Sequence, residues 1–232
     1  GAVPVPRYAV TTSLSCDGNL NTFRYLEKKK GVPFTFLDVP YGDDEASVEY
    51  LAGQLKDFVR ELENQFGKTF DEEKLKKALE IENETRKELV HFFRLQSEYY
   101  YPGELISHLY MMMGMHLLIG TQDFLDLIRF MVKDIQTYPK FEGKKILWVH
   151  LLPFYQESLR EYFNESEKYQ IIASDIIIDS MEELDASRPF HALAKKIIHN
   201  LYNGSYDHKA QMVGRLADML HPAAVIQFCH WG

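Results

Sequence analysis

Cysteine is scarce in this sequence: only Cys16 and Cys229 occur among 232 residues, and they stand far apart. Two distant cysteines do not form the disulfide framework of a small secreted protein. Because there is no Cys-x-x-Cys pair, the sequence also excludes a zinc ribbon and a thioredoxin-type redox motif. Patterns for a P-loop, a Gly-x-Ser-x-Gly turn and a His-Glu-x-x-His helix are absent as well.

Basic charge is also in deficit, with 26 Lys and Arg against 34 Asp and Glu, a net charge of −8. This balance argues against a nucleic-acid surface and against attraction to anionic lipids. No apolar run is long enough to span a membrane, because residues 105–119 fall short of the roughly 20 required and contain His108, Gly114 and His116. That run predicts a buried helix. Residues 1–6 lack the features of a secretory signal, so we expect a cytoplasmic protein.

The first part of the chain alternates between strand and helix patterns. Residues 8–15 and 34–39 are β-branched and apolar, as in buried strands, and residues 20–30 between them are typical of a short helix. Gly31 marks the end of that helix. A strand, a helix and a strand in so short a span predict a βαβ unit with parallel strands.

The pattern then becomes helical before strands return. Apolar residues at helical spacing predict four helices within residues 46–140. Strands are predicted at 144–151 and 223–229, and residues 169–178 predict a strand or a strand followed by a loop, with helices between these segments. We therefore predict an α/β protein of two doubly wound parallel-sheet units joined by a helical section. The predicted domains are 1–45 (part of the first α/β domain), 46–140 (the helical section) and 141–232 (part of the second α/β domain). Both ends are expected to be truncated, because core strands lie so close to them.

The two cysteines are the leading candidates for chemistry. Cys16 and Cys229 each end an apolar strand, and ligands of open parallel sheets bind beyond the carboxyl ends of the strands. Cys16 also precedes a helix, which favours the thiolate form that binds metals. The other interpretation is that both are small buried apolar residues. Two thiolates alone do not complete a four-ligand cluster, so a metal site would need another ligand or an open position.

Other candidates are weaker. His230 follows Cys229 directly and is either a ligand or an ordinary loop residue, which is the interpretation we favour. Asp38 ends the second strand, where Rossmann folds place a ribose-binding acid, but the preceding turn has no Gly-x-Gly-x-x-Gly loop. The methionine run at 111–115 predicts core packing.

Several segments together carry a family resemblance. They are Ser-Cys-Asp-Gly at 15–18, Phe-Leu-Asp-Val-Pro-Tyr at 36–41, residues 49–55, the helix start at 71–75, and Phe-Cys-His-Trp-Gly at 228–232. In order and spacing they resemble the large-subunit family of 2-hydroxyacyl-CoA dehydratases, which also includes benzoyl-CoA reductase subunits. The resemblance covers nearly the whole chain, and its last segment is the most specific.

The resemblance implies two flavodoxin-like domains and a [4Fe–4S] cluster held by three cysteines, with one iron open to substrate. Cys16 and Cys229 match two of those ligands as cofactor-binding and metal-binding residues. The third family ligand lies upstream of the position of Gly1, and no catalytic base is identified. The implied reaction removes water from a 2-hydroxyacyl-CoA through a ketyl radical and gives an enoyl-CoA.

The implied partners are a paralogous second dehydratase subunit, an ATP-dependent iron–sulfur activator protein and the acyl-CoA substrate, with no nucleic acid and no membrane. On this hypothesis the 232 residues are inactive by themselves and lack a complete cluster. One alternative is a non-catalytic, cluster-free partner subunit or acyl-CoA-binding module of the same family. Another is an unrelated doubly wound binding domain whose cysteines are structural.

Overall fold

The computed structural model describes residues 5–14, 17–178 and 182–228. The five strands in these ranges are β1 (Ala9–Thr12), β2 (Phe34–Leu37), β3 (Lys144–Val149), β4 (Tyr169–Ser174) and β5 (Ala224–Gln227). The eight α-helices are α1 (Asp17–Lys30), α2 (Glu45–Phe66), α3 (Glu72–Gln96), α4 (Leu105–Leu117), α5 (Gln122–Asp134), α6 (Glu157–Phe163), α7 (Pro189–Ile198) and α8 (Tyr206–Leu220). Among the described residues, no helix combines the length and the hydropathy that crossing a bilayer requires.

The chain divides into two units. The first comprises Gly1–Leu75 and Leu184–Ser205, and the second comprises Lys76–Glu183 and Tyr206–Gly232. In this division α2 and α7 belong to the first unit and α4 and α5 to the second, while the domain boundaries at residues 45 and 140 stay a prediction. A helical pattern shows that one face of a helix is buried but does not identify what it packs against.

In the first unit, β1 and β2 pair in parallel from Ala9 opposite Phe34 to Thr12 opposite Leu37. The long helix α2 begins because the Asp44 side chain accepts a hydrogen bond from the Ser47 N–H at 2.8 Å, a standard N-cap. The core lies between the sheet, α2 and α7. Its buried apolar residues are Leu37, Val39, Val48, Leu51, Ala52, Leu55, Ala194 and Ile198.

In the second unit, three parallel strands lie in the order β4-β3-β5, so β3 is central. Residues of β3 and β4 are buried in a near-continuous apolar run, as is typical of parallel strands covered on both faces. Helices α3, α5 and α8 supply buried residues to the same core, including Leu89, Ile128 and Leu216.

The α/β class and the parallel pairing are confirmed, in agreement with the predicted flavodoxin-like arrangement. The prediction of a buried helix at 105–119 is only half right. Helix α4 forms there, but Tyr110, Met113 and Leu117 are exposed. A helix that is apolar on all sides can turn only one side toward a core.

Candidate functional site

The two predicted ligands, Cys16 and Cys229, lie outside the described residues, as does His230. After β1 the described residues run to Leu14, and after β5 they run to Phe228. The carboxyl ends of the strands that lead to the two cysteines are two sheet edges, one in each unit, and each edge is a candidate by itself.

At the edge of the second sheet, the central strand β3 ends in a strained turn. His150 follows Val149 directly and has a φ of 73°, in the left-handed region. A residue with a Cβ pays about 1–2 kcal/mol for this conformation. The His150 N–H donates to Oδ1 of Asp175 at 2.7 Å, which fixes the turn. Strained residues that are not glycine are concentrated at functional sites, so this edge is a candidate on its backbone alone.

Asp175 is the first residue after β4 and is almost fully buried, at 1% exposure. Its Oδ2 lies 3.5 Å from Nζ of Lys209, which belongs to α8. Buried carboxylates persist when hydrogen bonds and an opposite charge compensate them. Asp175 and Lys209 therefore place fixed charges at the carboxyl edge of the sheet.

The strand that leads to Cys229 lies beside this turn. β5 pairs with β3, with Gln227 opposite Val149. The Phe228 N–H then donates to the Val149 carbonyl at 3.2 Å, so the pairing extends to the residue before Cys229. The backbone that leads toward Cys229 is thus bonded to Val149, the residue before His150.

The sequence analysis missed Asp175 and Lys209 and assigned no role to His150. The prediction gave residues 169–178 as a strand or as a strand followed by a loop and did not place the end of the strand, which lies at Ser174. The polar Ser-Asp pair within an otherwise apolar run was the available signal for that end.

At the edge of the first sheet, the loop after β2 is held by side chains of α2. The Gln54 amide accepts from the Asp38 N–H at 2.9 Å and donates to the Asp38 carbonyl at 2.8 Å. The Tyr50 hydroxyl donates to Oδ2 of Asp38 at 3.1 Å, and this bond to a carboxylate raises the pKa of Tyr50. Ser13, after β1, accepts from the Val39 N–H at 2.7 Å.

Glu45, Glu49 and His191 form a group whose ligand atoms lie within 4.8 Å of one another. Protein cations already occupy these carboxylates. Arg188 lies 3.6 Å from Glu45 and 3.2 Å from Glu49, and His191 Nε2 lies 3.0 Å from Glu45. The hydrogen bond from His191, together with the positive charges of His191 and Arg188, lowers the pKa of Glu45. The group is therefore an exposed ion-pair cluster that joins α2 to α7.

The chain is similar to three subunits of known dehydratases. The (R)-phenyllactyl-CoA dehydratase alpha subunit of Clostridium sporogenes is 21% identical over 206 residues, covering 80% of this chain and 50% of that protein. The beta subunit of the same enzyme is 28% identical over 204 residues, covering 84% and 52%. The (R)-2-hydroxyglutaryl-CoA dehydratase alpha subunit of Acidaminococcus fermentans is 28% identical over 89 residues, covering 37% and 19%. The chain thus spans about half the length of the two phenyllactyl-CoA relatives.

The model of one protein family, described as 2-hydroxyglutaryl-CoA dehydratase, D-component, matches residues 5–232. The match includes both sheet edges and confirms the family resemblance of the sequence segments. The chain therefore belongs to the 2-hydroxyglutaryl-CoA dehydratase D-component family.

Proposed function

We propose that this chain is part of a subunit of a cytoplasmic dehydratase that converts a 2-hydroxyacyl-CoA into an enoyl-CoA and water. The family match over residues 5–232 carries the proposal, because it includes both strand edges that lead to the cysteines. The similar proteins act, by their names, on phenyllactyl-CoA and 2-hydroxyglutaryl-CoA. Those compounds share the 2-hydroxyacyl thioester and differ in the side chain, so the proposal is limited to that class.

Cys16 and Cys229 are the residues we propose as ligands of a [4Fe–4S] cluster. Thiolate is the usual protein ligand of such clusters, so the donor chemistry of both residues fits. The 232 residues contain two cysteines, so a third thiolate ligand would come from outside them. When bound, a cluster with one open iron supplies a Lewis acid for the substrate oxygen.

The proposed elimination follows a one-electron route. An ATP-dependent activator protein gives one electron to the thioester, which becomes a ketyl radical anion. Loss of the 2-hydroxyl group as hydroxide and of a proton from the neighbouring carbon forms the double bond. The electron is then returned, so the net reaction is loss of water without net oxidation or reduction.

The described residues contribute position and charge. The turn at His150, fixed by Asp175, and the bond from Phe228 to Val149 hold the backbone that leads into Cys229. Lys209 balances the charge of Asp175. We assign these residues positioning roles, because these bonds are made within the edge of the sheet.

The proposed partner is a paralogous second subunit, because both the alpha and the beta subunit of one dehydratase are similar to this chain. That similarity also supports a second candidate function. In it, the chain belongs to a cluster-free partner subunit that binds acyl-CoA or the activator.

The test uses the complete subunit together with its paralogous partner, reconstituted without oxygen with iron and sulfide. Iron and acid-labile sulfide are measured, and so is water elimination from 2-hydroxyacyl-CoA substrates with activator and ATP. Cys16→Ser and Cys229→Ser are each expected to lose most of the iron and all of the activity. Met113→Ser is the matched control, because it exchanges sulfur for oxygen at an exposed residue of α4.

Equal iron contents in the wild type and both cysteine variants would refute the ligand assignment. A folded wild-type complex whose iron all belongs to the partner subunit would support the cluster-free alternative.

A further inference from the structure

The second unit contains a cavity of about 280 Å³ that is separate from the candidate site. It is lined by Tyr169, Gln170 and Ile171, the first three residues of β4, whereas Asp175 follows the last residue of that strand. At about 3.3 Å per residue, Gln170 and Asp175 are roughly 16 Å apart along the strand direction. The exposed residues Glu104 and Ser107 lie on its rim.

Aromatic rings form much of the wall. The rings of Phe92 and Tyr101 meet edge to face at 5.4 Å, and those of Phe163 and Tyr169 lie 6.3 Å apart at 66°. Edge-to-face packing is one of the two arrangements that aromatic groups prefer. An apolar cavity of about 150 Å³ is large enough for benzene, so this one has room for a substituted single ring.

Two polar groups of the wall are available for hydrogen bonds. Gln96 is 7% exposed, and neither its amide nor the imidazole of His108 makes a hydrogen bond to any described residue. Gln170, in the same wall, differs. Its amide donates to the carbonyls of Gln96 and Tyr99 and accepts from the Tyr101 N–H.

The electrostatics favour a neutral occupant. Burial lowers the pKa of His108 to about 4, so its ring is neutral at physiological pH and offers one donor and one acceptor. No Lys or Arg is among the lining residues, and Glu104 adds a negative charge at the rim. An anion bound here would therefore lose its hydration without gaining a positively charged partner.

We propose that this cavity binds a small uncharged aromatic molecule bearing a hydroxyl group, which exchanges hydrogen bonds with Gln96 and His108. The phenol class fits best, because a phenolic hydroxyl both donates and accepts while its ring contacts Phe92 and Phe163. The site does not depend on the dehydratase proposal, since it uses none of the residues assigned to that function.

The probe is 4-methylphenol, titrated against the complete chain by calorimetry and by ligand-observed NMR. Toluene, which lacks the hydroxyl, and benzoate, which is anionic, are each expected to bind at least about tenfold more weakly. Gln96→Leu and His108→Leu should each weaken 4-methylphenol binding about five- to tenfold while leaving toluene binding unchanged or improved. A merely structural role of these residues would weaken both ligands equally.

Matched controls are Gln211→Leu, an exposed glutamine of α8, and His116→Leu, two turns further along α4; both should bind like the wild type. The CoA thioester of 3-(4-hydroxyphenyl)propanoate tests whether the ring instead enters as part of an acyl-CoA. Binding of that thioester without binding of free 4-methylphenol would overturn the proposal. Absence of 4-methylphenol binding up to its solubility limit would show that the cavity holds only water. Equal affinity in all variants would show that the ligand binds without Gln96 and His108, and it would likewise overturn the proposal.

Discussion

Replacing Gly114 with alanine should destabilise the second unit, although alanine is the better helix former. Gly114 lies in α4, and a Cβ added there would meet Cε2 of Phe124 at 2.5 Å. Carbon atoms in contact prefer about 3.5–4.0 Å, so one group must move by about 1 Å. The Phe124 ring has little room to move, because it is 3% exposed and belongs to the main core.

The magnitudes of the two effects decide the sign. Alanine gains up to about 1 kcal/mol over glycine in a helix, whereas overpacking of a core costs about 1–3 kcal/mol. Gly114→Ala should thus lower the free energy of unfolding by up to about 2 kcal/mol. In Gly214→Ala, in α8, the added Cβ meets no atom within 4 Å, so the free energy of unfolding should rise by up to about 1 kcal/mol.

Urea unfolding followed by tryptophan fluorescence measures both variants, because Trp148 is buried in β3 of the same unit. The difference between the two variants isolates the steric effect, since both gain the same helix propensity. If both variants gain stability equally, the close approach of α4 to Phe124 is refuted.

Three further predictions concern buried polar groups, and each is measured by equilibrium unfolding. Asp175→Asn keeps an acceptor for the His150 N–H but removes the charge facing Lys209, so it should lower the free energy of unfolding by about 2–3 kcal/mol. A decrease below about 0.5 kcal/mol would contradict the ion pair. Ser174→Ala should be neutral or stabilising by up to about 1 kcal/mol, because the buried Ser174 hydroxyl has no partner among the described residues. If the variant is instead less stable than the wild type, the hydroxyl bonds to water in the adjoining cavity of about 40 Å³. His108, whose pKa falls to about 4 on folding, makes the unfolding free energy drop by up to about 1.4 kcal/mol per pH unit as the pH falls from 6.5 to 4, and its contribution is complete above pH 6.5. Replacing His108 with leucine should remove this contribution to the pH dependence of unfolding. If the pH dependence is the same in wild type and variant, the ring is solvated and the reasoning is refuted.

The sequence predicted the kinds of elements better than their assembly. The βαβ start was predictable, because β-branched runs around a helix with a glycine stop leave few alternatives. The place of α7 was not, because its partner α2 precedes it by more than 120 residues. The contacts that join them, such as the apolar packing of Leu51 and Ala194 and the His191–Glu45 pair, form only in the folded chain. The exposure of Tyr110 and Met113 was also missed, since apolar composition alone does not tell which side of a helix faces a core.

For the candidate site, the sequence put forward Cys16 and Cys229, which stay a prediction, but not the residues that organise the sheet edge. Asp175 is recognisable as a buried charge only when Lys209, from a helix more than 30 residues later, is placed beside it. The left-handed backbone of His150 has no sequence signal, because strain in a histidine is sustained by its surroundings. Such residues become visible only in the folded chain.

The two sheet edges are fixed by the same physical means. Where the ladder of a parallel strand ends, backbone groups lose their partners, and a side chain replaces them: Gln54 bonds both backbone groups of Asp38, and Asp175 bonds the N–H of His150. Both edges are thereby held rigid before any ligand binds, and preorganised positions lower the cost of binding. If Cys16 and Cys229 hold a cluster, changes at Gln54 or Asp175 should therefore weaken its retention without removing a ligand.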